Sequence, residues 1–410
     1  MTVSLATPCI TLTDVEQARM RLEGSIRLSP CPHSQALSEL TGQQVYLKLE
    51  NLQITGAFKE RGALNKIATL PEDQASRGVI AASAGNHAQG VAYHAARRGI
   101  KAHIVMPLPT PLVKVMATRN YGGHVVLHGA IYDEAYAEAL RLREAHGYTF
   151  VHPFDDPAVI AGQGTIGLEL LEQVPNLEAV VVPVGGGGLI GGIACAIKER
   201  KPGVRLVGVQ TARLSSMVAA LSEHQPVTIE PAITVADGIA VRRAGDLTLP
   251  LVERYVDEMA TVEEEDIASA ILVLLEREKM LAEGAGAAAL AALLQGKTRL
   301  NGHHTAVLVS GGNIDVTLLA RIIERGLVKD GRMIRLRIHL LDRPGALHEL
   351  TGIIAKHRAN IVELLFDRAY YGVNLGETVI DVTFETRGPD QVKQLLGALT
   401  AANYKHELVR

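Results

Sequence analysis

Short, largely apolar runs, each followed by a helix-like stretch, alternate from about residue 44 to residue 320. "QVYLKLEN" (44–51), "GVIAAS" (78–83), "KAHIVM" (101–106), "AVVVPV" (179–184), "RLVGVQ" (205–210) and "HTAVLVS" (304–310) read as strands. "HAQGVAYHAARRG" (87–99), ended by Gly99, and "LIGGIACAIKERK" after the glycines at 185–188 read as helices. Thr261 and Glu264 have the spacing of a capping box ahead of the stripe Ile267, Ile271, Leu274, Leu275. Strands that are apolar on both faces belong to a parallel sheet with helices on both sides, so an α/β fold is expected.

Near residue 330 the pattern changes. "MIRLRIHLL" (333–341) alternates apolar and polar at period two, which covers a sheet on one face only. A helix from Pro344 to Arg358, strands "NIVELLFDRA" and "ETVIDVTFET", a helix from Pro389 to Ala402 and "YKHELV" follow. That β-α-β-β-α-β order is an α+β, ferredoxin-like unit over 333–410. The expected division is 1–325, a linker 326–332 ("RGLVKDGR" and its surroundings), and 333–410.

Composition bounds the partners. Lys+Arg 41 against Asp+Glu 44 gives net −3, with no basic patch for nucleic acid or a membrane surface. Cys9, Cys31 and Cys195 are odd in number, far apart and without zinc spacing, which suits a reducing cytoplasm. "MTVSLATPCITLTD" has no basic region followed by an apolar core, and no apolar run approaches the about 18 residues of a membrane span. No metal site is expected.

Three strand-to-helix junctions carry small residues. "VPVGGGGLIGG" (182–192) follows a buried strand and opens a helix, where main-chain N–H groups and the helix dipole favour an anion. It also satisfies G-x-G-x-x-G through Gly186, Gly188 and Gly191. A dinucleotide site wants an acid at the end of the next strand, and Gln210 stands there. The phosphate of a smaller cofactor remains. "AASAGNHAQG" (81–90) suits a carboxylate, or is only a helix cap, and "VSGGN" (309–313) is the third junction. In open α/β sheets such junctions converge on one crevice. Lys59, in "GAFKERGA", opposes the dipole of the helix it starts. An amine, a phosphate cradle and a carboxylate loop together fit a Schiff base with pyridoxal 5′-phosphate.

"GAFKERGA", "ASAGNHAQG", "AGQGTIGLE" (161–169), "VPVGGGGLIGG", "ADGIAV" (236–241), "EGAGA" (283–287) and "VSGGN" occur in this order. Over residues 10–325 the chain resembles the threonine dehydratases (threonine ammonia-lyases) of the fold-type-II, tryptophan-synthase-β-like enzymes. "DRPGALHELTGII" and "ANIVEL" make 333–410 resemble an ACT domain, an amino-acid-sensing module. The resemblance implies a two-lobed catalytic domain, its small lobe (about 50–155) inserted in the large one. It implies Lys59 as Schiff-base lysine and Cα base, Phe58 and Asn86 against the cofactor, Gly185, Gly186, Gly187, Gly188 and Leu189 on its phosphate, and Ser310 at its pyridine nitrogen. Ser83, Ala84, Gly85 and His87 fall where the family binds the substrate carboxylate. L-Threonine is the implied substrate, losing water and then ammonia to give 2-oxobutanoate, with the cofactor phosphate as proton donor; L-serine would give pyruvate.

In the ACT-like unit, Asp342, Arg343, Gly345, Ala346, Leu347 and Asn360 are the implied effector residues. L-isoleucine is the implied inhibitor and L-valine its opponent, although Asp342 and Pro344 also suit a plain helix start. The family also implies a homo-oligomer, dimer or tetramer. Serine racemases resemble the chain too, but they carry a serine where Ala84 stands and a metal-binding acid within 210–216, where "QTARLSS" has none. A cysteine-forming β-replacement synthase and a non-catalytic sensor are further alternatives. The intact Lys59, glycine run and Ser310 oppose the sensor.

Overall fold

The computed structural model describes residues 9–367 and 374–409. These form two compact units, divided between Ile314 and Asp315. The first has strands β1 (His33–Ser34), β2 (Gln44–Leu49), β3 (Val79–Ala82), β4 (Ala102–Met106), β5 (His124–Leu127), β6 (Thr149–Phe150), β7 (Ala179–Pro183), β8 (Arg205–Thr211), β9 (Glu258–Val262) and β10 (His304–Val309). They make two sheets. The larger runs β1-β2-β10-β7-β8-β9, parallel except for β1, and the smaller runs β5-β4-β3-β6, parallel throughout.

Each read strand lies within a residue or two of its expected bounds; "QVYLKLEN" is shorter, because Glu50–Leu52 turns into a 3₁₀ turn. Strands β3 and β7 are buried at every position, as continuous apolar runs require. The capping box lies two residues later than its spacing suggested. Thr261 is still in β9, and Glu263 with Asp266 caps the helix Glu264–Arg277. Glu264 instead accepts from the Thr211 and Thr234 hydroxyls.

A buried charge cluster ties the lobes' framework together. Arg61, on the helix Lys59–Ala68, uses all five of its N–H groups. Nε and Nη2 reach the Glu50 carboxylate at 2.8 Å each. Nη1 and Nη2 reach Glu169 at 2.6 and 2.9 Å, and Nη1 also reaches Thr165 Oγ1 at 3.0 Å. Lys48 Nζ saturates its three donors on Ser29 O (2.9 Å), Gln173 Oε1 (2.9 Å) and Glu169 Oε2 (2.5 Å). Two cations and two anions, all buried, come from β2, its following turn, the helix Lys59–Ala68 and the helix Pro157–Gln173. Glu169 sits in the "AGQGTIGLE" stretch.

The helices Pro157–Gln173 and Gly188–Arg200 pack backbone to backbone. A Cβ on Gly192 would lie 2.3 Å from Ile160 O, and one on Gly167 2.8 Å from Ile193 O. No helix among the described residues is long and apolar enough to cross a membrane.

The second unit has strands β11 (Met333–Leu341), β12 (Asn360–Asp367), β13 (Glu377–Glu385) and β14 (His406–Val409), ordered β12-β13-β11-β14 and antiparallel. Ile334, Leu336, Ile338 and Leu340 are buried while their neighbours along β11 are not, the period-two pattern of a one-sided sheet. Its helices are Ala346–Lys356 and Pro389–Ala401. Arg368 and Ala369, read as the end of "NIVELLFDRA", lie outside the described residues. The stretch expected as a linker (326–332) is not one: the helix Val316–Lys329 runs through its first half and belongs with this unit.

Candidate active site

Lys59 opens its helix behind Phe58, which supplies no side-chain cap. Its Nζ donates to Pro153 O at 2.7 Å and lies 5.2 Å from the Phe58 ring centre. Burial pushes the amine down to about 8, against the pull of the Glu283 carboxylate in the other direction. Phe58 N donates to Ser310 O at 3.1 Å, so the lysine turn is stitched to the end of β10, where Ser310 is 2% exposed.

The glycine run joins β7 to the helix Gly188–Arg200. Gly187, at φ +97°, takes the left-handed turn, and no side chain caps the helix. The back of the loop is filled. A Cβ on Gly186 would lie 2.3 Å from the Phe154 ring, one on Gly187 2.5 Å from Met217, one on Gly188 2.5 Å from Phe154 O. Gly186 O accepts from Thr248 Oγ1 at 2.5 Å and from Gly245 N at 3.2 Å. A trans peptide sets its N–H opposite its C=O, so the Gly187 N–H is turned to the other side of the loop. Gly185 is backed by Val241 and Ile239, and Leu189 is buried. Asp155 holds Asp246 N and Leu247 N, and His152 Nδ1 accepts from Asp155 N at 2.7 Å, which fixes the 152–155 segment beneath the cradle.

The junction after β3 meets the junction after β10 directly. Asn86 Oδ1 accepts from Asn313 Nδ2 at 2.8 Å, and Asn86 Nδ2 donates to Glu283 Oε1 at 2.6 Å. Burial, aided by Asp237, pushes Glu283 up to about 7, while Asn86, Lys114 and Lys59 pull it down. Ser83 Oγ accepts from Gly85 N at 3.2 Å, and the helix Asn86–Arg97 has Gly85 at its cap and no capping side chain. Lys59 and Phe58, Asn86, Ser310 and the 185–189 loop, from four places in the fold, are therefore linked through short contacts.

Two models of known families match the chain: pyridoxal-phosphate dependent enzyme over residues 22–312 and ACT domain over 334–402. The L-threonine ammonia-lyase of Thermotoga maritima is 51% identical over 98% of this chain and 100% of its own. The catabolic L-threonine dehydratase of Escherichia coli K12 is 43% identical over 76% of this chain and 96% of its own. Among solved structures, processed threonine deaminase isoform 2 from Solanum lycopersicum superposes with TM-score 0.73 and 38% identity, covering 76% of this chain and 86% of that one. Maize serine racemase also gives 0.73, at 34% identity, covering 78% and 99%.

The chain belongs to the pyridoxal-phosphate dependent enzyme family.

The residues present fit that family's cofactor. A pyridoxal-phosphate enzyme needs an amine that is neutral often enough to attack an aldehyde, and burial brings the Lys59 amine down from its ordinary 10.5 to about 8. It needs main-chain donors for a phosphate, and the uncapped, glycine-backed helix start supplies them.

Not every expected residue joins the cleft. The His87 imidazole is buried, with Nε2 2.8 Å from Val151 O and Nδ1 buried without a hydrogen-bond partner among the described residues. Gly191 packs on Leu251 and Gly192 on the neighbouring helix, so the end of the glycine run serves packing. Glu283 and Asn313 were missed as site residues. Both lie in the motif stretches "EGAGA" and "VSGGN", but an acid before a glycine helix start reads as a cap. Glu283 makes no side-chain cap here.

In the ACT domain, Asp342, Arg343, Gly345, Ala346 and Leu347 line a cavity of about 340 Å³ together with Leu340, Leu341, Pro344, Phe366 and Thr378. The helix there starts at Ala346 after Gly345 (φ +86°), with no capping side chain. Arg343 is engaged by Glu349 at 2.7 Å. Asn360 is not in this cavity. It pairs with Glu385 at the far end of the sheet, and its Nδ2 donates to the Glu385 carboxylate at 3.0 Å.

Proposed function

We propose that this pyridoxal-phosphate enzyme converts L-threonine to 2-oxobutanoate and ammonia, and L-serine to pyruvate and ammonia. The observation that carries the reading is the Lys59 amine, half-buried and lowered to about 8, set between the glycine cradle's backing loop and the Asn86 junction. The 51% identity to an L-threonine ammonia-lyase over nearly the whole chain supports the substrate.

When bound, pyridoxal phosphate supplies an electron sink for the pair left at Cα. Lys59 Nζ would be the group that holds the cofactor's aldehyde carbon, and as a neutral amine it would take the substrate's Cα proton. The main-chain N–H groups of 185–189 would hold the phosphate. Asn86 would donate to a ring oxygen of the cofactor, and the Ser310 hydroxyl would offer the ring nitrogen a neutral hydrogen bond. A hydroxyl at Ser310, in place of a carboxylate, would favour loss of the β-hydroxyl over reprotonation elsewhere. The main chain and hydroxyl of the 83–87 turn, at an uncapped helix start, receive the substrate carboxylate. One water leaves from Cα and Cβ and one returns when the released enamine hydrolyses, so threonine becomes 2-oxobutanoate plus ammonia.

Serine lacks one methyl, worth about 1–3 kcal/mol of discrimination, so it should still react. Racemisation is disfavoured because Ala84 has no proton to deliver from the opposite face. The ACT cavity supports an amino-acid effector, which we take to be L-isoleucine opposed by L-valine, with Asp342, Arg343, Gly345, Ala346 and Leu347 as its contacts. We further propose a cytoplasmic homo-oligomer, dimer or tetramer. The test is direct. Purified enzyme reconstituted with the cofactor and given L-threonine should form 2-oxobutanoate and ammonia in equal amounts. With L-serine it should form pyruvate and little D-serine. No keto acid from either substrate would overturn the assignment, and D-serine at a rate matching pyruvate would favour a racemase.

A further inference from the structure

The Asn86 amide is gripped from both sides. Its Oδ1 accepts from Asn313 Nδ2, and its Nδ2 donates to Glu283 Oε1. Asn313 has no freedom of its own: Nδ2 also donates to Thr55 O at 2.7 Å, which uses both of its hydrogens. Thr55 is anchored in turn, since its N–H and hydroxyl both donate to Glu60 Oε2, at 2.8 and 2.7 Å. Glu283 ends the chain on the other side. A carboxylate only accepts, so it can face the nitrogen of Asn86 and not the oxygen. Even protonated, Glu283 keeps a carbonyl oxygen that accepts.

The backbone is cleared for both flanking groups. A Cβ on Gly311 would lie 2.4 Å from Glu283 Oε1, and a Cβ on Gly56 would lie 2.5 Å from Asn313 Oδ1. Gly56 also has φ +75°, a conformation side-chain-bearing residues rarely adopt. Glu283 begins the helix Gly284–Leu294 and would be placed to cap it, yet its carboxylate turns to Asn86 instead. Asn86 Nδ2 keeps one N–H that no other described residue takes up.

We infer that Glu283 is a positioning residue: with Asn313 it locks the Asn86 amide in one orientation, so that the remaining N–H is offered to the ring oxygen of the bound cofactor. The inference rests on the cofactor and on the proposed place of Asn86, not on the identity of the substrate. A flipped amide would turn its carbonyl to that oxygen and favour the oxygen's protonated form. The cofactor would then bind less tightly, and less of it would absorb in the visible.

The experiment uses the full-length chain, stripped of cofactor and titrated with pyridoxal phosphate. It reads the dissociation constant and the ratio of visible to near-ultraviolet absorbance. Glu283→Ala should weaken binding about tenfold and lower the ratio. Glu283→Gln keeps an accepting oxygen and should restore both to within about threefold of wild type. Asn313→Ala frees the amide from the other side and should reproduce the Glu283→Ala change. If Glu283→Ala does not fold, the other two variants decide. Wild-type affinity and ratio in Asn313→Ala, or a folded Glu283→Gln with a tenfold loss, would overturn the lock. Failure of wild type to turn over threonine, with these shifts intact, would remove the substrate and leave the lock standing.

Discussion

A lysine lowered to about 8 behaves differently from its surface relatives at every pH a cell offers. Roughly one Lys59 in ten is neutral at pH 7, against a few in ten thousand for a lysine at 10.5. Stopped-flow mixing of the cofactor-free enzyme with pyridoxal phosphate should show a capture rate that climbs to a plateau just above pH 8. A rate still climbing at pH 10 would mean the amine is solvated. Lys59→Ala should abolish both turnover and the visible band. Three histidines set the acid limit. Burial pushes His87 down to about 3 and His94 and His152 to about 4, so the unfolded chain binds more protons below the ordinary 6.5. Their stabilising contribution is whole above about 6.5 and is lost as pH falls towards 4, by on the order of 1 kcal/mol per histidine per unit. Melting temperature followed from pH 7 to pH 4 should fall, and His94→Gln should flatten the slope. His152 accepts from Asp155 N beneath the cradle, so cofactor affinity should decline in the same window. Lys59 and the glycine run drew attention in the sequence because three strand-to-helix junctions with small residues point to one crevice. Glu283 did not, because its meaning depends on Asn86 and Gly311, which only the folded chain brings beside it.

Between elements, the Arg61 cluster shows what a periodic pattern leaves out. Period and apolarity located the strands, because burial on both faces leaves a continuous mark. Nothing in "KLEN" or "KERGA" announces that Lys48, Glu50 and Arg61 are buried, since the compensating Glu169 lies more than a hundred residues on. Arg61→Ala should cost about 3–5 kcal/mol, because Glu50 would lose its guanidinium partner and remain buried. A melting temperature unchanged in Arg61→Ala would contradict that. Arg61→Lys should rescue little, as an ammonium cannot match the two carboxylates bidentately. The glycine run divides in the same way. Gly185 to Gly188 make the tight turn into the helix, while Gly191 packs on Leu251 and Gly192 lets two helices touch, two needs that one motif cannot distinguish.

At the scale of the molecule, the two units separate cleanly in sequence. The Escherichia coli relative aligns over 96% of its own length with 76% of this chain. Deleting residues 333–410 should leave cofactor binding and threonine turnover in place and abolish any isoleucine response. In the full chain, millimolar isoleucine should shift threonine saturation by roughly 5- to 150-fold. Superimposable saturation curves with and without isoleucine would exclude it as the effector. The β-α-β-β-α-β order of the ACT domain was legible because each of its strands pairs within one short stretch of chain. The catalytic unit is built otherwise: β2 lies between β1 and β10, and about 250 residues separate β2 from β10. On a ribosome adding about 5–20 residues per second, β2 emerges early and waits tens of seconds for its parallel neighbour. The small sheet, contiguous from β3 to β6, can close during that interval, whereas the large sheet has open edges on β2 and β7 until Val309 is made. A stall in translation after Pro183 and before that point leaves both the β2 and β7 edges unpaired, and it is there that the cell's chaperones have the most to protect.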